Sequence, residues 1–267
     1  VATHHLRVGP LPTWLDAQRL LGEAPWTLAD LHATASLPTA AAADLAARLR
    51  GLVLAGAPVQ LEATPPLPRA AVRSARTEEA RRHRDTSVGF SHPRARLDEQ
   101  GRYSLTPERL ALSLGNQARG ATVLDAGCGA GGNTIGFARA GCKVIAVERD
   151  AARLSDARHN AACYEVDGRV RFVHGDAIEA MQRVRADVLF VDPPWGAWDK
   201  AHSGLTELPL LQAAITHRER FLEVWAKVPP SFDTRETPEA FPAAVFGHAP
   251  GDRQRIKFLW LRIAGRS

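Results

Sequence analysis

Cysteine is scarce: Cys128, Cys142 and Cys163 are the only three in 267 residues. An odd count, without CxxC spacing or a nearby His/Cys cluster, argues against a disulfide framework and against a zinc site, so reduced thiols and no bound metal are expected. No apolar run approaches the roughly 20 residues needed to cross a bilayer, and no membrane role is expected. The stretch VATHHLRVGPLPTWLDAQ lacks the charged-then-apolar layout of a secretory signal, which makes the cytoplasm the expected location. Lysine is rare, 4 residues against 30 arginines, and with abundant alanine this is the bias of a GC-rich genome. Internal repeats are absent, and one Ala-rich helix is the only low-complexity tract.

What is present is an ordinary globular composition, 45% hydrophobic and 24% charged. The length suits one large α/β domain, or one of usual size with a smaller appendage. The net charge of +5 is concentrated. Residues 69–96 carry eight arginines against Glu78, Glu79 and Asp85, a net of +5 that leaves the remainder neutral on balance. Arginines in this stretch, Arg81, Arg82 and Arg84 among them, are candidates for contacting the phosphates of a polyanionic partner, although a solvated helix face would have the same composition.

Three regions are expected: a helical N-terminal accessory region over 1–68, a basic linker or arm over 69–100, and an α/β domain over 101–267. In the first, TWLDAQRLLGE starts at a possible Thr13 N-cap, and TAAAADLAARLRGLVLAG is Ala/Leu-rich with a terminal glycine. The prolines of EATPPLPR then end any helix. In the third, SLTPERLALSL has the Ser/Thr, Pro and Glu of a helix start. After it ATVLDAG, KVIAVER, VRFVHGD and ADVLFVDPP alternate with helical segments, the pattern of βαβ units around a parallel sheet. LEVWAKVPPS and RIKFLWLRI read as two later strands, the second closing the sheet as an antiparallel hairpin edge. Trp14, Trp26, Trp225 and Trp260 lie on apolar periodic segments and are expected in the core.

TVLDAGCGAGGNTIGFA is a strand, a glycine-rich turn and a helix start. Gly127, Gly129, Gly131 and Gly132 permit a sharp turn and close approach of a ligand. By itself such a loop is weak evidence, because phosphate-binding dinucleotide loops share its layout. The acids decide more. Asp125 ends the first strand, Glu148 ends the second, 21 residues beyond Gly127, and Asp176 ends the third. Such a ring of carboxylates would repel a pyrophosphate and attract a sulfonium and an amino group, which favours S-adenosylmethionine over a nicotinamide dinucleotide. Asp150 and His174 fit helix-cap or surface roles better.

VLDAGCGAGGNT, VIAVERD, HGDA and VDPPW, in this order and spacing, resemble the class I S-adenosylmethionine-dependent methyltransferases. The resemblance implies a Rossmann-like fold, α/β with a mostly parallel sheet. It assigns Asp125 and the glycines, Gly127 and Gly129 among them, to the amino-acid end of S-adenosylmethionine, Glu148 to its ribose and Asp176 to its adenine amine, with Asn133 and Thr134 also at the cofactor.

The segment VLFVDPPWGAWD takes a buried strand into a carboxylate, two prolines and two tryptophans. A planar base with an exocyclic amine suits it: Asp192 and the Pro193 carbonyl can accept its N–H bonds while an aromatic face stacks on the ring, worth about 1–3 kcal/mol. Trp198 fits either the pocket rim or the core. Adenine N6, cytosine N4, guanine N2 and amide nitrogens all suit a (D/N/S)PP(Y/W) turn, and the motif alone does not choose. LDEQGRYSLTPERLA, DAGCGAGGNTIGFARAG, ARHNAACYEV and DPPWGAWD together resemble the trimethylguanosine synthase and RNA cap guanine-N2 methyltransferase family, over about residues 97–200. This implies methyl transfer to guanine N2 of RNA, with Trp195 stacking, Asp192 and Pro193 orienting the amine, and Thr106 and Pro107 near the cofactor. The family usually has Ser where Asp192 stands, Gly-Gly where Gly196-Ala197 stands, and an aromatic doublet at Arg102. Asp192 suits a neutral guanine or adenine amine as well as a cationic 7-methylguanine, so a cap requirement is left open.

Overall fold

A computed structural model describes residues 2–82, 87–194, 204–249 and 251–266. No helix in them is long and apolar enough to cross a membrane.

The N-terminal region is built on strands, and the expectation of a helical region is corrected. Strands β1 (Thr3–Gly9), β2 (Thr27–Ala29), β3 (His32–Pro38) and, after the two-residue strands β4 (Val53–Leu54) and β5 (Ala57–Pro58), β6 (Gln60–Thr64) form an antiparallel sheet of order β2-β3-β1-β6. The central strand β1 alternates, with His4, Leu6 and Val8 buried and Thr3, His5 and Arg7 exposed. That period of two is the signal of a half-buried strand. Two helices accompany the sheet, α1 (Ala17–Leu21) and α2 (Thr39–Arg48). Asp16 rather than Thr13 caps α1, its carboxylate accepting from the Arg19 amide, and Gly22 at φ +93° ends the helix.

The basic stretch is helical to residue 82, as α3 (Arg69–Arg82). Its Ala75 packs on Ala43 and Ala47 of α2, which leaves Arg69, Arg73, Arg76 and Arg81 exposed. Residues 87–98 then run as a strap over the third region. The Asn160 side chain, fully buried, holds the strap by accepting from the Arg96 amide and donating to the Arg96 and Ala130 carbonyls. Tyr164 and Glu108 hold it at Ser91 and His92.

The short helix α4 (Glu99–Ser104) leads into a seven-stranded sheet. Its elements are α5 (Glu108–Gln117), β7 (Thr122–Ala126), α6 (Gly132–Arg139), β8 (Lys143–Glu148), α7 (Ala151–Cys163), β9 (Val170–His174), α8 (Ala177–Arg183), β10 (Val188–Val191), α9 (Pro209–Thr216), β11 (Glu223–Val228), β12 (Ala240–Phe246) and β13 (Ile256–Ala264). The sheet order is β12-β13-β11-β10-β7-β8-β9. Strands β11, β10, β7, β8 and β9 are parallel, and β13 runs antiparallel to both β11 and β12. The last strand is therefore interior, and β12, not expected from the sequence, forms the edge. Pro242 lies within β12, a position that an edge strand tolerates because one side of its backbone needs no partner.

Strands such as VLFV are buried along their whole length because helices cover both faces. One face, with Val123, Phe190 and Trp225, packs on α5, α6 and α7. The other, with Leu124, Leu189 and Val224, packs on α8 and α9 and is continuous with Leu6, Val8, Leu45 and Leu54 of the N-terminal region. Trp14, Trp26 and Trp260 are half-buried at the margins of these cores, and Trp225 is fully inside.

The chain order reverses between β7 and β10, the crevice where open α/β sheets bind ligands. Helices α5 and α6 cross close beside it, with Gly115 against the Gly136 carbonyl and Gly136 against the Ala111 backbone. A Cβ at either glycine would sit inside backbone van der Waals distance. Gly136→Ala is expected to lower the free energy of unfolding by about 2 kcal/mol or more, through overpacking at a backbone contact; urea denaturation measures this, and an unchanged midpoint would contradict it.

Candidate active site

The loop after β7 is fixed by its backbone. The Gly127 and Cys128 amides both donate to the Val147 carbonyl of β8, and Gly131, at φ +91°, is the N-cap of α6. Gly127 and Gly129 also have positive φ, +94° and +54°. Among the described residues, a Cβ at Gly129 would meet nothing within 4 Å, and one at Gly127 would meet only Leu210 Cδ2 at 3.7 Å. These glycines are required by the turn and border open space, which is the cradle a ligand backbone would fill.

Asp125 ends β7 only 1% exposed. Its Oδ2 accepts from the Thr134 hydroxyl, one turn into α6. Burial, reinforced by the nearby carboxylates of Asp192 and Glu148, pushes Asp125 up to about 7 against the Thr134 hydrogen bond. A carboxyl so placed is short of a positive partner. Glu148, also buried, accepts from the Gly129 amide at 3.0 Å through Oε2 and from the Asp150 amide at 2.9 Å through Oε1, so it ties the loop to the second strand.

Asp150 and Asp176 cap helices. Asp150 Oδ1 accepts from the Ala152 and Arg153 amides at the start of α7. Asp176 Oδ1 accepts from the Ile178 and Glu179 amides at the start of α8. Asp176 is exposed and stands apart from the buried acids, although it lies on the same C-terminal edge of the sheet. His174 is exposed, its Nε2 on the Arg149 carbonyl.

At the end of β10 the arrangement is one that sequence reasoning missed. Asp192 Oδ2 lies 2.8 Å from Lys227 Nζ of β11 and 3.2 Å from Asn133 Nδ2 of α6. The buried Thr106 hydroxyl lies near this carboxylate without a hydrogen-bond partner of its own among the described residues. Burial pushes the Asp192 carboxyl up, and Lys227, Asn133 and Thr106 oppose the shift. Lys227 Nζ also donates to the Ser104 carbonyl at 3.3 Å and stands 5.5 Å over the Phe258 ring. Its signal was present in the sequence: a single lysine inside the apolar strand EVWAKV, whose other central positions are all buried.

Period-two geometry explains the convergence. Val123, Phe190 and Trp225 share the face covered by α5 and α6, so Asp125, Asp192 and Lys227, each two residues further along its strand, emerge on the same side. Thr106 and Pro107, the latter the N-cap of α5, are brought alongside because Leu105 rests on Gly132. Pro193 is buried and Pro194 exposed. Trp195, Trp198 and Arg84 lie outside the described residues. Arg82 ends α3, and Arg81 is exposed on that helix.

Residues 120–210 match the family model of the RNA cap guanine-N2 methyltransferases. Trimethylguanosine synthase of Saccharomyces cerevisiae is 33% identical over 104 residues, 35% of this chain and 33% of that protein. An uncharacterised RNA methyltransferase of Halalkalibacterium halodurans is 37% identical over 112 residues, 37% of this chain and 24% of its own length. The matched segments thus span a third or less of these two relatives. Among solved structures, a putative methyltransferase from Porphyromonas gingivalis superposes with a TM-score of 0.53 at 20% identity, over 62% of this chain and 42% of that one. That likeness supports the Rossmann-like α/β fold of the parallel sheet. The glycine loop, buried Asp125 and Asp-Pro-Pro turn all lie inside the matched segment, and it is this segment that is similar to the RNA cap guanine-N2 methyltransferases.

Proposed function

We propose that the protein is an S-adenosylmethionine-dependent N-methyltransferase acting on the N2 amine of guanine in RNA, within an α/β domain over 101–267. The observation that carries this reading is the cluster of Asp125, Glu148 and Asp192 at the switch point of the sheet. It couples a surplus of buried negative charge on the loop side to an oriented carboxylate on the Asp-Pro-Pro side.

The residues fit the cofactor. Open space beside Gly127 and Gly129 admits a ligand, and Asp125, pushed up to about 7 by burial and like charge, gains most from a cation. Asp125, the loop glycines, Asn133 and Thr134 would hold the amino-acid end, Glu148 the ribose and Asp176 the adenine amine, with Thr106 and Pro107 closing the near side. S-adenosylmethionine, when bound, supplies a methyl group made electrophilic by a sulfonium. The chain's own contribution is orientation. Asp192 and the Pro193 carbonyl accept the amine hydrogens, which favours a more sp3-like nitrogen and turns its lone pair toward the methyl carbon. Trp195 provides the stacking plate, with Trp198 at the rim. Protonated arginines of α3, with Arg81 and Arg82 at its end and Arg84 just beyond, hold RNA phosphates without reading sequence.

Labelled cofactor offered with pools of capped RNA, tRNA and rRNA is expected to yield N2-methylguanosine on nuclease digestion, with activity lost in Trp195→Ala and Asp125→Ala. N6-methyladenosine as the sole product would reject the reading.

Asp125 also sets a pH dependence. Its carboxyl is raised from 3.8 to about 7 in the ligand-free fold, so its contribution to stability is full below about pH 4 and is lost as pH rises through about 7. A cationic ligand favours the carboxylate and reverses this trend. Calorimetry is expected to show S-adenosylmethionine affinity rising by up to about tenfold per pH unit below pH 7 and flattening above it. In Asp125→Asn the slope should vanish. A flat profile in the unaltered protein would contradict the assignment.

Replacing Arg69, Arg73 and Arg76 by Gln is expected to weaken RNA binding and reduce the slope of log K against log salt by about 2, at roughly 0.7 per single-strand phosphate contact. An unchanged slope in a filter-binding titration would remove α3 from the RNA surface.

A further inference from the structure

We propose that Lys227 sets the charge of the substrate: by neutralising Asp192 it selects an uncharged guanine over the cationic 7-methylguanine of a cap. The inference rests on the guanine-N2 reading and specifies the substrate within it.

The geometry is unambiguous about where the positive charge is. Lys227 Nζ and Asp192 Oδ2 are 2.8 Å apart, with the two side chains 6% and 17% exposed. The lysine is carried on β11, one step beyond the pairing of Val191 with Ala226, so strand register and not a flexible loop fixes its approach. The Ser104 carbonyl and the Phe258 ring hold the ammonium from the other directions. Asn133 supplies a neutral donor to the same carboxylate.

An unpaired Asp192 would be a natural counter-ion for a bound base carrying a full positive charge. With Lys227 in place the pair is neutral. A 7-methylated ring would then bring a second cation beside a buried ammonium, in surroundings that screen the repulsion poorly. A neutral guanine meets no such cost, and its amine still finds a carboxylate oxygen as acceptor. The remaining acids, Asp125 and Glu148, surround the loop at the ends of β7 and β8, where the cofactor's charge would occupy them. Lys227 acts through Asp192 and is a positioning residue.

The test uses one oligoribonucleotide carrying either guanosine or 7-methylguanosine at a single position, with kcat/KM for N2 methylation measured on each by the full chain. The unaltered protein is expected to favour guanosine by about tenfold or more, the factor given by one pKa unit of charge discrimination. Lys227→Met should raise the ratio of 7-methylguanosine to guanosine rates by about tenfold, because the cationic ring then replaces the ammonium as partner of Asp192. Lys227→Arg should keep the original preference. If Lys227→Met does not fold, Lys227→Gln/Asp192→Asn, which leaves two neutral groups of similar size, should lose the discrimination instead. A preference of the unaltered protein for 7-methylguanosine, or a ratio that none of these changes moves, overturns the proposal. Failure to methylate either guanine while the cofactor still binds overturns the guanine reading itself, a different result.

Discussion

Burial of like charge is the constraint on which this site depends. Asp125, Glu148 and Asp192 are gathered where β7, β8 and β10 end, and helices α5 and α6 shut one side from water. Buried carboxylates are tolerated only when hydrogen-bonded or paired. Each has been given a different solution. Glu148 accepts from two backbone amides, Asp192 pairs with an ammonium, and Asp125 accepts from the Thr134 hydroxyl while burial holds its carboxyl up at about 7. The unequal solutions divide the labour: the acid that lacks a cation faces the glycine cradle, and the one that already has a cation faces the Asp-Pro-Pro turn.

The rest of the fold serves to hold these groups in register. Strand alternation sends Asp125, Asp192 and Lys227 to one face, and the close α5–α6 crossing brings Thr106, Asn133 and Thr134 onto it. The strap over residues 87–98, pinned by Asn160 and Tyr164, fastens the arginine-bearing region to the same half of the molecule. On the opposite face the N-terminal sheet shares its core with β10, β11 and β13, so it is an integral layer rather than a tethered appendage.

Much of this was legible in the sequence because it is local. Continuous apolar strands, helices at regular spacing and acids at strand ends gave the parallel sheet and the positions of Asp125 and Glu148. Non-local pairing hid the remainder. Ala- and Leu-rich segments before residue 60 have helical texture, and the alternation in HHLRVG is only one strand long; pairing with β3 and β6, about 30 and 55 residues away, makes the sheet. Pro242 disguised β12, which survives as a strand because it lies at the edge. Lys227 gave a signal, a charge in a buried strand, but its partner lies 35 residues earlier and only the β10–β11 register joins them. Asp176 is a case of two roles for one residue type, since a strand-end acid is also the best N-cap for the next helix.

The most direct test of this electrostatic account is a carbon NMR titration of the Asp125 carboxyl, followed in the ligand-free protein and again with S-adenosylmethionine. The account predicts a midpoint near 7 in the first and a clear fall in the second, as the buried surplus of negative charge gains its cation. A midpoint in the usual range of an exposed aspartate without ligand, or one that the cofactor leaves unmoved, would contradict it.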